Sequence, residues 1–214
     1  MIAPKDVILF QGDSITDCGR ARENAAPNDA AALGGGYVRH IANRLLQERG
    51  GDGLTIYNRG IGGNRVVDLY ARWKIDAINL DPDLISILIG VNDTWHEFSS
   101  RNGVEVDRYE TVYRMLLDYT RKRLPDVKLV LCEPFVLRCG AVTDAWFPEM
   151  PQRQEIVRRL AEEFEARFVP FQDALNKALA EAGPEHWTRD GVHPTPAGHE
   201  LLARTWIETV CDRA

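Results

Sequence analysis

Short apolar runs alternate along this chain with longer stretches in which apolar residues recur every three or four positions. The run Val7-Ile8-Leu9-Phe10 predicts a buried strand. Leu54 to Tyr57 predicts a second. Leu84 to Ile89 predicts a third, apolar throughout except for Ser86, as expected of a central strand covered on both faces. Lys128 to Cys132 and the short pair Phe168-Val169 supply two more. Helical spacing covers about Tyr37 to Arg49, where Val38, Ile41, Ala42, Leu45 and Leu46 share a face. It recurs over Val66 to Leu80, Val106 to Leu124, Pro151 to Arg167 and Ala174 to Ala182. A last helix runs from Pro196 to about Cys211, with Thr195 as N-cap and proline at the first helical position. Cys18 to Gly36, Phe135 to Pro148 and Gly183 to His193 read as irregular.

Strands separated by helices of this length pair in parallel through right-handed crossovers. The expected fold is therefore α/β: one domain over residues 1–214, a doubly wound parallel five-stranded sheet with helices on both faces, of flavodoxin-like type. Such sheets bind ligands beyond the carboxyl ends of their strands. Polar motifs at residues 12–17, 58–64 and 90–93 each follow a predicted strand, and a fourth at 190–193 precedes the last helix. The topology predicts that all four converge on one rim.

Charge narrows the function classes. Lys and Arg number 26 against 32 Asp and Glu, a formal charge of −6. Nucleic-acid binding needs a basic surface, so no nucleic-acid partner is expected. The cluster Arg121-Lys122-Arg123 closes a predicted helix, where it complements the helix dipole. Cys18, Cys132, Cys139 and Cys211 form no C-x-x-C pair and no metal-finger spacing, which predicts reduced thiols and no metal. Residues 1–10 lack a signal-peptide core, and no apolar stretch approaches a membrane span. The expectation is a cytoplasmic protein with no membrane partner.

The first motif is Gly12-Asp13-Ser14-Ile15-Thr16-Asp17. A serine at a tight strand-to-helix turn exposes its hydroxyl and aims its N–H outward, which suits a nucleophile that must stabilise an oxyanion. A plain capping turn has the same residues. The last motif is Asp190-Gly191-Val192-His193-Pro194. There Asp190 can accept the Nδ1–H of His193, leaving Nε2 to take a serine proton. A metal reading through His193, His199 and His186 lacks close ligand spacing. Asn58-Arg59-Gly60-Ile61-Gly62-Gly63-Asn64 can present a bare backbone N–H, and Gly90-Val91-Asn92-Asp93 a side-chain amide. Holding a phosphate on the Gly12–Thr16 turn is disfavoured, because that turn has no lysine and no G-x-G-x-x-G.

Taken in order, Gly-Asp-Ser, a Gly-rich turn, Gly-x-Asn-Asp and Asp-x-x-His resemble the SGNH (GDSL-type) hydrolases over nearly the whole chain. The resemblance implies a serine esterase with Ser14, Asp190 and His193 as triad. Its oxyanion hole would be the N–H of Ser14, the N–H of Gly63 (Gly62 being the alternative) and the amide of Asn92. Closer similarity to bacterial xylan and xylo-oligosaccharide acetylesterases of that family lies in Gly12 to Arg22, Ala32 to Tyr37, Asp68 to Trp73 and Val91 to Trp95. It implies deacetylation of a small acetylated sugar by a homo-oligomer without cofactor. Other acyl hydrolases of the family, a short-chain carboxylesterase, thioesterase or lysophospholipase, are the alternative. Trp95, three residues after Asn92, and Trp187, three before Asp190, are expected to stack on a sugar or to pack the rim or a subunit interface. Asp13 and Arg20, near the nucleophile in sequence, are further candidates for substrate binding: Asp13 is expected to orient the turn, and Arg20 to bind a polar substrate or only a neighbouring carboxylate.

Overall fold

The five expected strands all form, and all run parallel. In the computed structural model, which describes residues 1–211, they are β1 (Val7–Gly12), β2 (Thr55–Asn58), β3 (Leu84–Leu88), β4 (Lys128–Cys132) and β5 (Arg167–Val169), in spatial order β2-β1-β3-β4-β5. Phe10 pairs with Ser86 and Ser86 with Val130, so the registers of the three central strands are aligned. The order turns back at β1, and the rim beyond β1 and β3 is the switch point where such sheets bind ligands.

Alternation along each strand divides the core in two. Ile8, Phe10, Leu84, Leu88, Val130 and Cys132 face one layer; Leu9, Ile85, Ile87, Leu129 and Leu131 face the other. The first layer is covered by α3 (Tyr37–Glu48), α8 (Phe171–Ala178) and α10 (Pro196–Cys211), through Ile41, Leu175 and Trp206. The second is covered by α4 (Val66–Asp76), α6 (Val106–Arg123) and α7 (Met150–Glu163), through Trp73, Leu116 and Leu160. Ser86, the one polar residue of β3, has a reason to be there: its Oγ accepts the indole N–H of Trp206 at 3.0 Å, satisfying a fully buried donor.

Several boundaries differ from the sequence pattern. The helix expected over 66–80 ends at Asp76, and one 3₁₀ turn, Ile78–Leu80, completes the stretch. The helix expected to reach Arg167 stops at Glu163, because Glu165 is left-handed (φ 52°) and turns the chain into β5. The helix α8 begins at Phe171, earlier than its spacing suggested, where the Glu133 carboxylate accepts the Gln172 N–H. The short helices α2 (Ala30–Leu33) and α9 (Pro184–Trp187) form within segments expected to be irregular, and α1 (Ser14–Asp17) follows β1 at the expected strand-to-helix turn. The longer α5 (Val91–Ser100) follows β3 in a stretch for which no element was expected and which no apolar periodicity announced. Among the described residues no helix is long and apolar enough to cross a membrane.

Candidate active site

The turn after β1 sets the first reactive group. Asp13 caps α1 by accepting the Ile15 N–H at 3.0 Å, which makes Ser14 the first helical residue. At N1 its N–H has no carbonyl one turn back to bond. Its Oγ lies 2.9 Å from Nε2 of His193, a residue 179 positions away. On the far side of the ring, Nδ1 lies 2.7 Å from Oδ2 of Asp190. An ionised carboxylate only accepts, so Nδ1 carries the proton and Nε2 presents its lone pair to the serine.

Asp190 is held by its own turn. Its Oδ1 accepts the N–H groups of Val192 (3.0 Å) and His193 (2.8 Å). Partial burial works to raise the Asp190 carboxyl, but these bonds and the His193 ring outweigh it and hold the group below its ordinary range. The loop at 135–148 backs the turn from outside: Leu137 N–H donates to Gly191 O and Ala141 N–H to Asp190 O.

A second loop, after β2, is pressed against α1. Asn58 accepts the Gly60 N–H at 2.9 Å and donates to Thr16 O and Leu33 O. A Cβ on Gly60 would lie 2.4 Å from the Asp17 nitrogen, so only glycine permits this approach. Asp17 Oδ2 accepts the Gly62 N–H at 2.9 Å and is paired with Arg22. That leaves the Gly63 N–H, at a residue with φ +84°, without a protein partner among the described residues. Of the two glycines, Gly63 therefore has the available donor.

Asn92 comes from the start of α5. Its Nδ2 gives one N–H to Asn64 O at 3.0 Å, which fixes the amide plane and leaves a second N–H. Ser14, Gly63, Asn92 and His193 line one cavity of about 260 Å³ together with Trp95, His96 and Ser99. A larger hollow of about 660 Å³ between α6 and α7 contains no nucleophile–base pair, so chemistry rather than size singles out the site. His96 and Ser99 were not anticipated. The signal that finds them is the spacing 92, 95, 96, 99, one helical face, and it is visible only once α5 is recognised.

Three of the expected substrate contacts are corrected. Asp13 is 1% exposed, its carboxylate turned into the protein. Burial, reinforced by the neighbouring Asp93 carboxyl, pushes it up to about 7 despite the Ile15 hydrogen bond. Arg20 is buried too, and its Nε donates to Gly60 O at 2.7 Å; it braces the loop and does not reach the cavity. Trp187 packs into the core, where its indole N–H lies within reach of Ala178 O and Ala182 O. Trp95 alone of the two tryptophans reaches the site, with its ring 5.6 Å from that of His193. His199 and His186 are engaged away from His193. His199 Nδ1 accepts the Tyr37 N–H and its Nε2 lies 3.3 Å from Cys18 Sγ, while His186 packs edge-on against Trp187.

Comparison with known proteins gives a consistent picture. A sequence profile of the GDSL-like lipase/acylhydrolase family matches residues 10–201. The chain is 39% identical to an acetylxylan esterase of Geobacillus stearothermophilus, over 98% of this chain and 95% of that protein. A crystal structure of an acetylxylan esterase from that organism superposes with a TM-score of 0.90 at 36% identity, covering 99% of this chain and 97% of the other. A Parabacteroides merdae protein described as a GDSL-like lipase superposes with a TM-score of 0.95 at 45% identity, covering 98% of each chain. Solved forms of the Geobacillus enzyme include catalytic mutants in which a histidine, an aspartate or a serine is replaced by alanine.

Proposed function

Since the chain belongs to the GDSL-like lipase/acylhydrolase family and is a carboxylic ester hydrolase, we propose that it removes acetyl groups from acetylated xylo-oligosaccharides or related sugars through an acyl-enzyme on Ser14. The observation that carries this reading is the unbroken relay from Ser14 Oγ to His193 Nε2 (2.9 Å) and from His193 Nδ1 to Asp190 (2.7 Å), beside a cavity supplied with donors. The likeness to acetylxylan esterase supports the acetyl-sugar substrate.

His193 takes the Ser14 proton as Oγ attacks the ester carbonyl. The carbonyl oxygen becomes an oxyanion, held by the N–H groups of Ser14 and Gly63 and the Asn92 amide. His193 then protonates the sugar oxygen, the carbon–oxygen bond to the sugar breaks, and the acetyl group remains on Ser14. Water replaces the sugar and attacks the acetyl carbon as it loses a proton to His193; the carbon–Oγ bond then breaks, His193 returns the proton to Ser14 Oγ, and acetate leaves. Asp190 holds the imidazole tautomer and stabilises the imidazolium; its carboxyl, kept below the ordinary range, stays ionised throughout. No metal or cofactor takes part in this scheme, and the enzyme is proposed to act as a cytoplasmic homo-oligomer.

The test is acetate release from a panel of acetylated xylo-oligosaccharides, p-nitrophenyl esters of increasing chain length and acyl-CoA, with Ser14→Ala as control. The expected outcome is preference for acetylated sugars, and loss of turnover in Ser14→Ala at nearly unchanged melting temperature. Each buried CH₂ is worth about 0.8 kcal/mol, so an enzyme built for longer acyl chains would gain steadily along the ester series. That gain, beyond about six carbons, would overturn the acetyl assignment in favour of a lipase or thioesterase.

A further inference from the structure

The helix α5 leaves the end of β3 and runs along one wall of the cavity. Asn92 begins that wall and serves the oxyanion. Trp95, His96 and Ser99 continue it on the same helical face. None of these three is needed for the relay, yet each faces the space beside it. We propose that Trp95, His96 and Ser99 form a subsite for the alcohol half of the ester, selecting a neutral ring that carries several hydroxyl groups. The proposal rests on the acetyl-sugar reading above and deepens it.

Position identifies which half of the ester this wall meets. The Trp95 ring lies 5.6 Å from the His193 ring, and His193 must hand its proton to the leaving oxygen. The departing alcohol is thus beside Trp95. The indole is held in place from behind: Trp146 meets it edge-on at 5.4 Å, and Phe98 stacks on Trp146 at 5.8 Å. A fixed aromatic face suits the C–H face of a sugar ring.

Chemistry identifies the kind of alcohol. The His96 ring makes no hydrogen bond within the protein among the described residues, although it is half-buried. Burial, with the Arg65 charge nearby, pushes its pKa down, so the ring is neutral at neutral pH. A neutral imidazole offers one donor and one acceptor, and so does each sugar hydroxyl. The Ser99 hydroxyl adds a second group of the same dual kind. Two arginines near the wall are already engaged. Arg65 is tied to Asp68 and Asn102, and Arg22 to Asp17. A phosphorylated alcohol, as in an acyl-CoA or a phospholipid, finds no unengaged cation among these residues.

The experiment measures kcat/KM for acetylated xylobiose and for p-nitrophenyl acetate, whose leaving group has no hydroxyls to offer. In His96→Ala the sugar ester should lose about tenfold, the effect of one or two hydrogen bonds between neutral groups, while the aryl ester loses less than about threefold. His96→Gln, which keeps a donor and an acceptor, should recover most of the ratio. Ser99→Ala, at an exposed position, should lower the same ratio by about threefold. Equal losses on the two esters, or an unchanged ratio in both alanine variants, would overturn the subsite while leaving the deacetylase reading intact. Wild-type enzyme that hydrolyses the aryl ester but no sugar ester would sink that reading and the subsite with it.

Discussion

Asn92 shows how little separates a positioned group from a loose one. The amide spends one N–H on Asn64 O, and the other is thereby aimed without a flexible partner to follow. Preorganised donors of this kind contribute most when water is excluded and nothing has to move. Asn92→Ala should therefore lower kcat by about 10²–10³-fold with KM little changed. Steady-state kinetics on p-nitrophenyl acetate would show it, and a melting temperature close to that of the wild type would exclude misfolding. The same scale explains which side chains sequence proximity misjudges. Asp13, Arg20 and Trp187 all stand within six positions of a reactive residue, but adjacency does not say which way a side chain turns. Asp13 is pulled inward by its capping role, Arg20 by the Gly60 carbonyl and Trp187 by its fit to the core. In contrast, the meeting of Ser14, Asp190, His193, Asn92 and Gly63 at one rim was legible, because four motifs in a fixed order constrain each other more than any one of them does alone.

At the level of elements, the strands were the most legible part of the chain. The run Leu84 to Leu88 is short, almost wholly apolar and buried on both faces, as a central strand requires. The helix α5 was not legible, and its burial explains why. Its most buried positions include Asn92, Asp93 and Thr94, polar residues satisfied by groups on other elements. Apolar spacing cannot report a helix whose inward face is polar. The contact between α1 and the Gly60–Gly63 loop was equally hidden, since it depends on the side chains of Asn58, Arg20 and Asp17. Asp17 Oδ2 takes the Gly62 N–H, its Oδ1 accepts from the Arg20 N–H, and Arg22 closes over it. Without it the Gly62 N–H is free to turn, and the next N–H, that of Gly63, loses its direction. A displacement of about 1 Å in a reacting or stabilising group can cost about 10²-fold. Asp17→Ala is accordingly expected to lower kcat by about that factor, with KM within about threefold. It should also couple to the oxyanion donors: combined with Asn92→Ala, the losses should be clearly less than multiplicative, whereas a merely structural Asp17 would leave the two effects independent.

Across the whole molecule, the ends of β1 and β3 bring two carboxyls into the interior that the proposed reaction does not use. Asp13 and Asp93 are both fully buried, and both are pushed up to about 7, chiefly by burial. For Asp93 the buried Arg153 guanidinium and the Val66 N–H work the other way without prevailing. In the unfolded chain both groups return to about 4. Between about pH 4 and 7 the folded protein therefore binds more protons than the unfolded one, and stability falls as pH rises through that window. His199 has the opposite sign: burial, with His40, Arg189 and His193 adding to it, lowers its pKa to about 4, so its contribution is lost as pH falls from about 6.5 toward 4. The carboxyl contribution can be isolated with Asp93→Asn, which keeps an oxygen to accept the Val66 N–H and removes both the titration and its effect on Asp13. At about pH 5 the wild-type carboxyls are mostly protonated and cost little. By pH 8 they are ionised in the interior, and the variant is spared that cost at one of the two positions. Scanning calorimetry of both proteins should show the wild type losing at least about 5 °C more than Asp93→Asn between pH 5 and 8, on the scale of 2–4 °C per kcal/mol for a chain of this size. Parallel curves would mean that Asp93 stays ionised across the range, with Arg153 neutralising it more fully than its surroundings suggest.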